Sequence, residues 1–288
     1  MCDQQQLANM GPVNRRQFGA LAGAGAVAAC APMSGEADMT GGLVENTVTF
    51  AAPGGTFDGV FIHPASGSHP AVILWPDIAG LRPAKVQMGR RLAESGYTVL
   101  VANPYYRSVA GQQFEDFDDW RSNDGWNKVT PWREANTPEA IQETARAVVA
   151  WLDAQDAVDS MRGIGNQGYC MTGSWTIYAA AAVPSRVKAA ASFHGGGLVG
   201  EGAMAPVNLL DDMADDAAAL IAIARDDDAE NPEAKTQLRA AAEDAAADIE
   251  VEVYDGDHGW TVLDSPVYAE AEAERAWSEL LELYSQTL

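Results

Sequence analysis

Gly165-Asn166-Gln167-Gly168-Tyr169-Cys170-Met171-Thr172-Gly173 is the stretch on which the fold turns. The apolar run 163–169 predicts a strand, and the alanine-rich run 174–183 predicts a helix. Between them a sharp turn carries a cysteine at its tip. A nucleophile elbow has this form, with small residues on either side because the strained turn packs backbone on backbone. Gly168 supplies the first; Thr172 stands where the second is usual, with Gly173 one place later. Amides at the start of such a helix favour an anion, so they activate a thiol and can hold an oxyanion. A buried structural cysteine at a strand end is the alternative for Cys170 taken alone.

Outward from this turn, apolar β-branched runs at 44–50, 59–63, 71–75, 98–102, 189–193, 220–224 and 249–254 read as further strands. Helical patterns fill the gaps. One covers 83–95 and stops at Gly96. A second opens at Thr137-Pro138, a hydroxyl N-cap with proline in the first turn, and runs through Leu152. Others start at Asn231-Pro232 and from Pro266 onward. From residue 70 the β-α alternation predicts an α/β fold, a mostly parallel sheet with helices on both faces. Its ligands belong beyond the carboxyl ends of the strands. Between Ser108 and Thr137 the pattern breaks: Phe114, Phe117, Trp120, Trp126 and Trp132 alternate with Asp and Asn without sustained period. This reads as a lid or pocket wall; a short amphipathic helix patching the core is the alternative.

Two further signals follow the elbow in chain order. The strand 220–224 runs into Asp226, Asp227 and Asp228, then Asn231-Pro232. Any one of these carboxylates, pinned by the turn, would orient an imidazole and stabilise its cation. Tyr254-Asp255-Gly256-Asp257-His258-Gly259-Trp260 then sets a histidine on a glycine-flanked loop after the last strand. Histidine is the usual base for activating a thiol. Of the other three, His63 and His69 flank an early turn, and His194 precedes Gly195-Gly196-Gly197, where it could line the pocket. Nucleophile, acid, histidine is the α/β-hydrolase order.

These motifs resemble the dienelactone hydrolase family over roughly residues 46–286. Gly168-Tyr169-Cys170 matches its nucleophile signature, His258-Gly259-Trp260 its histidine loop, and Trp75-Pro76-Asp77-Ile78-Ala79-Gly80-Leu81-Arg82-Pro83 its segment after an early strand. The resemblance implies an α/β-hydrolase fold with a short lid-like insertion. It implies cleavage of a carboxylic ester or lactone of the carboxymethylenebutenolidase type, with Cys170 as nucleophile and His258 as base. An acid four residues before a proline is typical of the family, which singles out Asp228 ahead of Pro232. Amides of Ile78 and Met171 would form the oxyanion hole. Asp77 stands where many members carry a Glu that holds the resting thiol, and Trp260 and His194 would face the substrate. Asn103-Pro104-Tyr105-Tyr106-Arg107 resembles the segment whose arginine pairs with a substrate carboxylate, although Arg107 could equally bridge to Glu115 or Asp116. Best-known members carry a second arginine soon after the histidine, and 261–268 contains none. That gap, with Asp77 and Thr172, motivates a second reading: a small-molecule-binding lipoprotein on a hydrolase fold. Neither cofactor nor metal is expected.

With 288 residues, 47% of them hydrophobic, the chain can bury one large α/β core. Forty-one acids against 18 bases give a net charge of −23, which repels nucleic acid and anionic lipid. No apolar run reaches the roughly eighteen residues of a membrane span. Asn14-Arg15-Arg16-Gln17-Phe18 ahead of an Ala/Gly-rich stretch fits an export signal of the twin-arginine type. Val27-Ala28-Ala29-Cys30 resembles a lipobox, cut before a cysteine that becomes lipid-modified; cleavage near Ala31 is the alternative. The expected organisation is a signal at 1–30, a tether at 31–45 and the hydrolase domain at 46–288, periplasmic or lipid-anchored at the envelope, with membrane contact only through Cys30. Removal of Cys2 and blocking or removal of Cys30 would leave Cys170 as the sole thiol, with no intrachain disulfide.

Overall fold

The computed structural model describes residues 38–40 and 42–288. The export signal, Cys2 and the lipidation candidate Cys30 lie outside the described residues. Among the described residues nine strands form one sheet in the order β1-β2-β3-β5-β4-β6-β7-β8-β9. In chain order these are β1 (Asp38–Thr40), β2 (Leu43–Ala52), β3 (Gly55–Pro64), β4 (Ala71–Trp75), β5 (Thr98–Ala102), β6 (Ile164–Tyr169), β7 (Val187–Phe193), β8 (Ala218–Ala224) and β9 (Asp248–Tyr254). β1, β2 and β3 pair antiparallel, and β3 meets β5 antiparallel. From β5 to β9 every pairing is parallel. The helices are α1 (Pro83–Glu94), α2 (Phe117–Ser122), α3 (Gly125–Glu134), α4 (Pro138–Leu152), α5 (Gly173–Ala182), α6 (Arg225–Glu230), α7 (Pro232–Asp244) and α8 (Glu270–Thr287).

The central strands are buried throughout because helices cover both faces. Strand β4 shows the split: Ala71, Ile73 and Trp75 pack into the cluster that holds α4 and α5 residues such as Val148, Leu152 and Ile177. Its alternate residues Val72 and Leu74 pack into the cluster with Leu92 of α1 and Leu280 and Tyr284 of α8. Every residue of β4, β5, β6 and β8 is buried, which is why β4, β5 and β8 read as apolar runs; β6 also buries the polar Asn166 and Gln167.

The structure departs from the sequence reading in three places. The sheet begins before residue 46: Asp38–Thr40 pairs with residues 43–45 of β2, with Gly42 at φ +86°, so part of the expected tether is strand. The last helix starts at Glu270 rather than Pro266, because Asp264 turns inward to Arg82 and Ser265 Oγ accepts from Val267 N, holding that segment as turns. The aromatic stretch 108–137 contains α2 and α3, six and ten residues long, separated by Asp124 at φ +57°. Helices that short cannot display a sustained period. Their Phe117, Trp120 and Val129, with Phe114, pack on Ile78, Tyr105 and Cys170, so the segment both patches the core and walls the cleft.

Candidate active site

Cys170 sits at the carboxyl end of β6, where a single 3-10 turn (Cys170–Thr172) joins the strand to α5. Its φ is +54°, a left-handed conformation that a cysteine adopts only when its surroundings impose it. Gly168 permits the turn: a Cβ there would lie 2.1 Å from the carbonyl oxygen of Thr172. The second small residue is Gly173, whose Cβ would lie 2.4 Å from Gly195 Cα. Thr172 can therefore depart from the usual pattern, and its hydroxyl has its own task. Oγ1 donates to Trp75 O (2.8 Å) and accepts from Tyr169 N (3.0 Å), fastening the elbow to β4. Cys170 is disulfide-bonded in the full-length chain. The expectation of an unpaired thiol thus concerns only a chain that has lost residues 1–30, and the thiol chemistry considered below is that of the reduced chain.

His258 lies on the loop after β9, 3% exposed. Its Nδ1 meets both carboxylate oxygens of Asp227, at 2.7 and 3.0 Å. This corrects the choice of Asp228, whose Oδ2 instead takes the Lys235 ammonium at 2.6 Å. The reason is local geometry. Chain direction after β8 passes straight into α6, so the three aspartates are spread around a helical turn rather than strung along a loop. Asp226 Oδ1 accepts the backbone amide of His258 (2.8 Å), Asp227 faces the ring, and Asp228 faces α7. A spacing rule counted back from Pro232 cannot see that rotation. Burial, then the neighbouring Asp227 charge, raises the Asp226 carboxyl above its usual range.

A narrow cleft brings Cys170 and His258 together with Asp77, Phe117, His194, Gly259, Val262 and Ser265. It opens at the carboxyl ends of the parallel strands, where this architecture places ligands. The family model for the dienelactone hydrolases matches residues 57–288. The chain belongs to the dienelactone hydrolase family. A Salmonella typhi protein described as a carboxymethylenebutenolidase is 27% identical over 226 residues, 77% of this chain and 79% of that protein. A Synechocystis protein with the same description is 27% identical over 134 residues, and the match spans only about half of that relative's length (51%) and 46% of this chain. Among solved structures, one described as a dienelactone hydrolase from Klebsiella pneumoniae superposes with a TM-score of 0.68 at 23% identity, covering 85% of this chain and 99% of its own. A dienelactone hydrolase-like promiscuous phosphotriesterase from metagenomic libraries gives 0.66 at 20% identity, covering 86% and 99%. These structural likenesses establish the α/β-hydrolase fold.

Within this dienelactone hydrolase framework, several expected residues have other engagements. Asp77 lines the cleft, but its carboxylate is already taken. Oδ1 accepts from Ala79 N and Arg82 Nη1, and Oδ2 accepts from Arg82 Nη2 and lies 2.9 Å from Lys85 Nζ. Burial alone would raise its pKa; the Arg82 and Lys85 charges outweigh that and hold the carboxyl well below the ordinary range. Arg82, fully buried, grips Asp264 with its other edge at 2.7 and 2.8 Å. The Asp77 carboxylate is thus held by cations. Arg107 is directed away from the cleft: Nη2 donates to Ala140 O and the guanidinium lies over the Tyr106 ring. It neither reaches the substrate region nor pairs with Glu115 or Asp116. Trp260 is fully buried, stacked on Tyr254 and edge-on to His194, so it supports the histidine loop from behind instead of facing a ligand. His194 does line the cleft. At φ +40° it sets its ring 4.9 Å from that of His258, with Nε2 3.2 Å from Thr261 Oγ1. Burial, reinforced by His258, keeps its pKa far below the ordinary histidine value, so it is neutral at pH 7. Ile78 joins Cys170 and Met171 in one buried cluster, and its carbonyl is fixed by the Tyr105 hydroxyl (2.7 Å).

Sequence reading passed over Arg82, Lys85 and Asp264, and held Asp227 only as one of three adjacent candidate acids. For Lys85 a signal existed: it shares the inward stripe of α1 with Gly89 and Leu92, at i, i+4 and i+7. Removing Arg82 strands the buried Asp264 carboxylate and leaves Asp77 with Lys85 as its cation. Arg82→Met is expected to destabilise the fold by about 3–5 kcal/mol, read from guanidinium unfolding; an unchanged midpoint would contradict the network's role.

Proposed function

We propose that this dienelactone hydrolase family member cleaves a carboxylic ester or lactone through Cys170, with His258 as base and Asp227 as its orienter. The observation that carries this reading is the grouping of a buried elbow cysteine and an Asp-bound imidazole on one cleft. His258 Nε2 takes the Cys170 proton, and Asp227 stabilises the resulting imidazolium from the Nδ1 side. The thiolate attacks the substrate carbonyl, whose oxygen becomes negative and is received by the amides of Ile78 and Met171 in this reading. Collapse of the tetrahedral adduct breaks the C–O bond. His258 returns its proton to the leaving alkoxide, which leaves as an alcohol or, in a lactone, stays attached to the acyl group. Water, deprotonated by His258, then splits the thioester and regenerates the thiol. Neutral His194 walls the same cleft without competing for that proton. The carboxymethylenebutenolidase description of the relatives favours a lactone or enol ester. The sequence features at 14–18 and 27–30 support export before the enzyme acts.

A panel of aryl esters and lactones assayed with the reduced full-length chain tests this. Turnover of at least one class, lost on adding iodoacetamide, is expected. Absence of turnover across the panel would favour a binding protein that keeps the fold without its chemistry.

A further inference from the structure

Beneath the elbow lies a set of four buried charges that the reaction scheme leaves unused. Asp77, Arg82, Lys85 and Asp264 are all shielded from solvent and joined by contacts of 2.7–2.9 Å. Two carboxylates and two cations sum to zero. Arg82 bridges the two acids, while Lys85 touches only Asp77 among them, at 2.9 Å. The ammonium's other face meets the ring of Tyr169, 3.9 Å from its centroid. Tyr169 is the residue before Cys170, and Asp77 shares the cleft wall with Cys170. Lys85 is thereby clamped between the floor of the cleft and the strand end that carries the nucleophile.

We propose that Lys85 is a positioning residue for the thiolate: its buried ammonium balances Asp77, so that the charge cluster under the elbow is neutral when Cys170 ionises. The proposal rests on Cys170 being the nucleophile. Its physics is that of like charges in a dry site. Without the Lys85 charge the cluster carries a net −1 next to the sulfur, and a second negative charge there is disfavoured. The groups facing Lys85 are Asp77 and Arg82 from the turn before α1, Asp264 from the turns before α8, and Tyr169 from β6; the neutral His194 after β7 also feels its charge. Burial, helped by Arg82 and opposed by Asp77, draws the lysine down to about 8, so its charge is one that this site can lose within the working range.

The test reads the thiol directly, not turnover. The reduced full-length chain is treated with limiting iodoacetamide between pH 5 and 9, and alkylation is followed on the peptide containing Cys170. Lys85→Met, similar in length and uncharged, is expected to slow alkylation at pH 7 by about tenfold and to move the profile to higher pH. The double variant Asp77→Asn/Lys85→Met, again neutral overall, should recover most of the wild-type rate although the contact is gone. Asp77→Asn alone leaves a net +1 and should alkylate faster than wild type. A merely structural lysine would give the opposite ordering, with the double variant no better than the single. A folded Lys85→Met with the wild-type profile, or a double variant as slow as the single, overturns the proposal. If Lys85→Met does not fold, Asp77→Asn decides: a rate equal to or below wild type overturns it. Because alkylation is scored without substrate, these outcomes stay separate from whether Cys170 performs the hydrolysis.

Discussion

Cys170→Ala is expected to lower kcat for a p-nitrophenyl ester by at least about 10³-fold while leaving the thermal unfolding profile close to that of the reduced parent. The size follows from the chemistry. When one member of a nucleophile–base unit is removed, what remains is binding and oxyanion stabilisation, and losses of 10³ to 10⁶ in kcat are the rule. The small effect on stability follows from the packing. The turn is held by Gly168, Gly173 and the Thr172 hydroxyl bonds, none of which involves the sulfur. Alanine inherits the same left-handed backbone conformation and loses one atom at the edge of a cleft, so little packing is forfeited. Activity and fold should separate cleanly. Retained turnover in this variant would move the nucleophile elsewhere; a collapse of the unfolding transition would make Cys170 a core residue first.

The second large effect distinguishes neighbours. Asp227→Asn should reduce kcat by about 10²–10⁴-fold, because an amide can present its NH2 to Nδ1 and stabilise the wrong tautomer, and it no longer supports the imidazolium. Asp228→Asn should stay within about threefold of the parent in kcat. It gives up one partly exposed ion pair to Lys235, worth less than about 1 kcal/mol once solvent screening is counted. Steady-state kinetics of the two variants side by side check this. Equal losses would mean that the acid alternates between positions, and a larger loss at Asp228 would restore the choice that spacing alone suggests. Asp226→Asn falls between them, since Asp226 bonds the His258 amide and fixes the loop rather than the ring.

Much of the architecture was legible because the central strands obey simple rules. β4 and β5 fall on the residues that the apolar runs mark, since strands buried on both faces leave no alternation to misread. The proline-opened helices α1, α4 and α7 start where their prolines predict. The elbow was legible too, because strand, glycine and helix are all local. What could not be read was rotation and long-range charge. Asp227 and Asp228 differ only in the angle at which α6 presents them. Asp264 lies 182 residues from Arg82, and no pattern in either neighbourhood announces that pair. Arg107 shows the converse: the motif placed it at the substrate, whereas the Ala140 carbonyl on α4 and the Tyr106 ring offered it nearer partners. The aromatic stretch between β5 and α4 hid its helices because each is too short for a period to register.

The account stands or falls on the sulfur of Cys170 carrying the acyl group between the two half-reactions. Rapid acid quenching of the reduced enzyme during turnover of p-nitrophenyl acetate, followed by peptide mass spectrometry, reads this directly. One acetyl group on the peptide containing Cys170, discharged by hydroxylamine and more abundant in Asp227→Asn, is the predicted result. An acetyl group on another residue, or brisk turnover with Cys170 never labelled in wild type or variant, would contradict it.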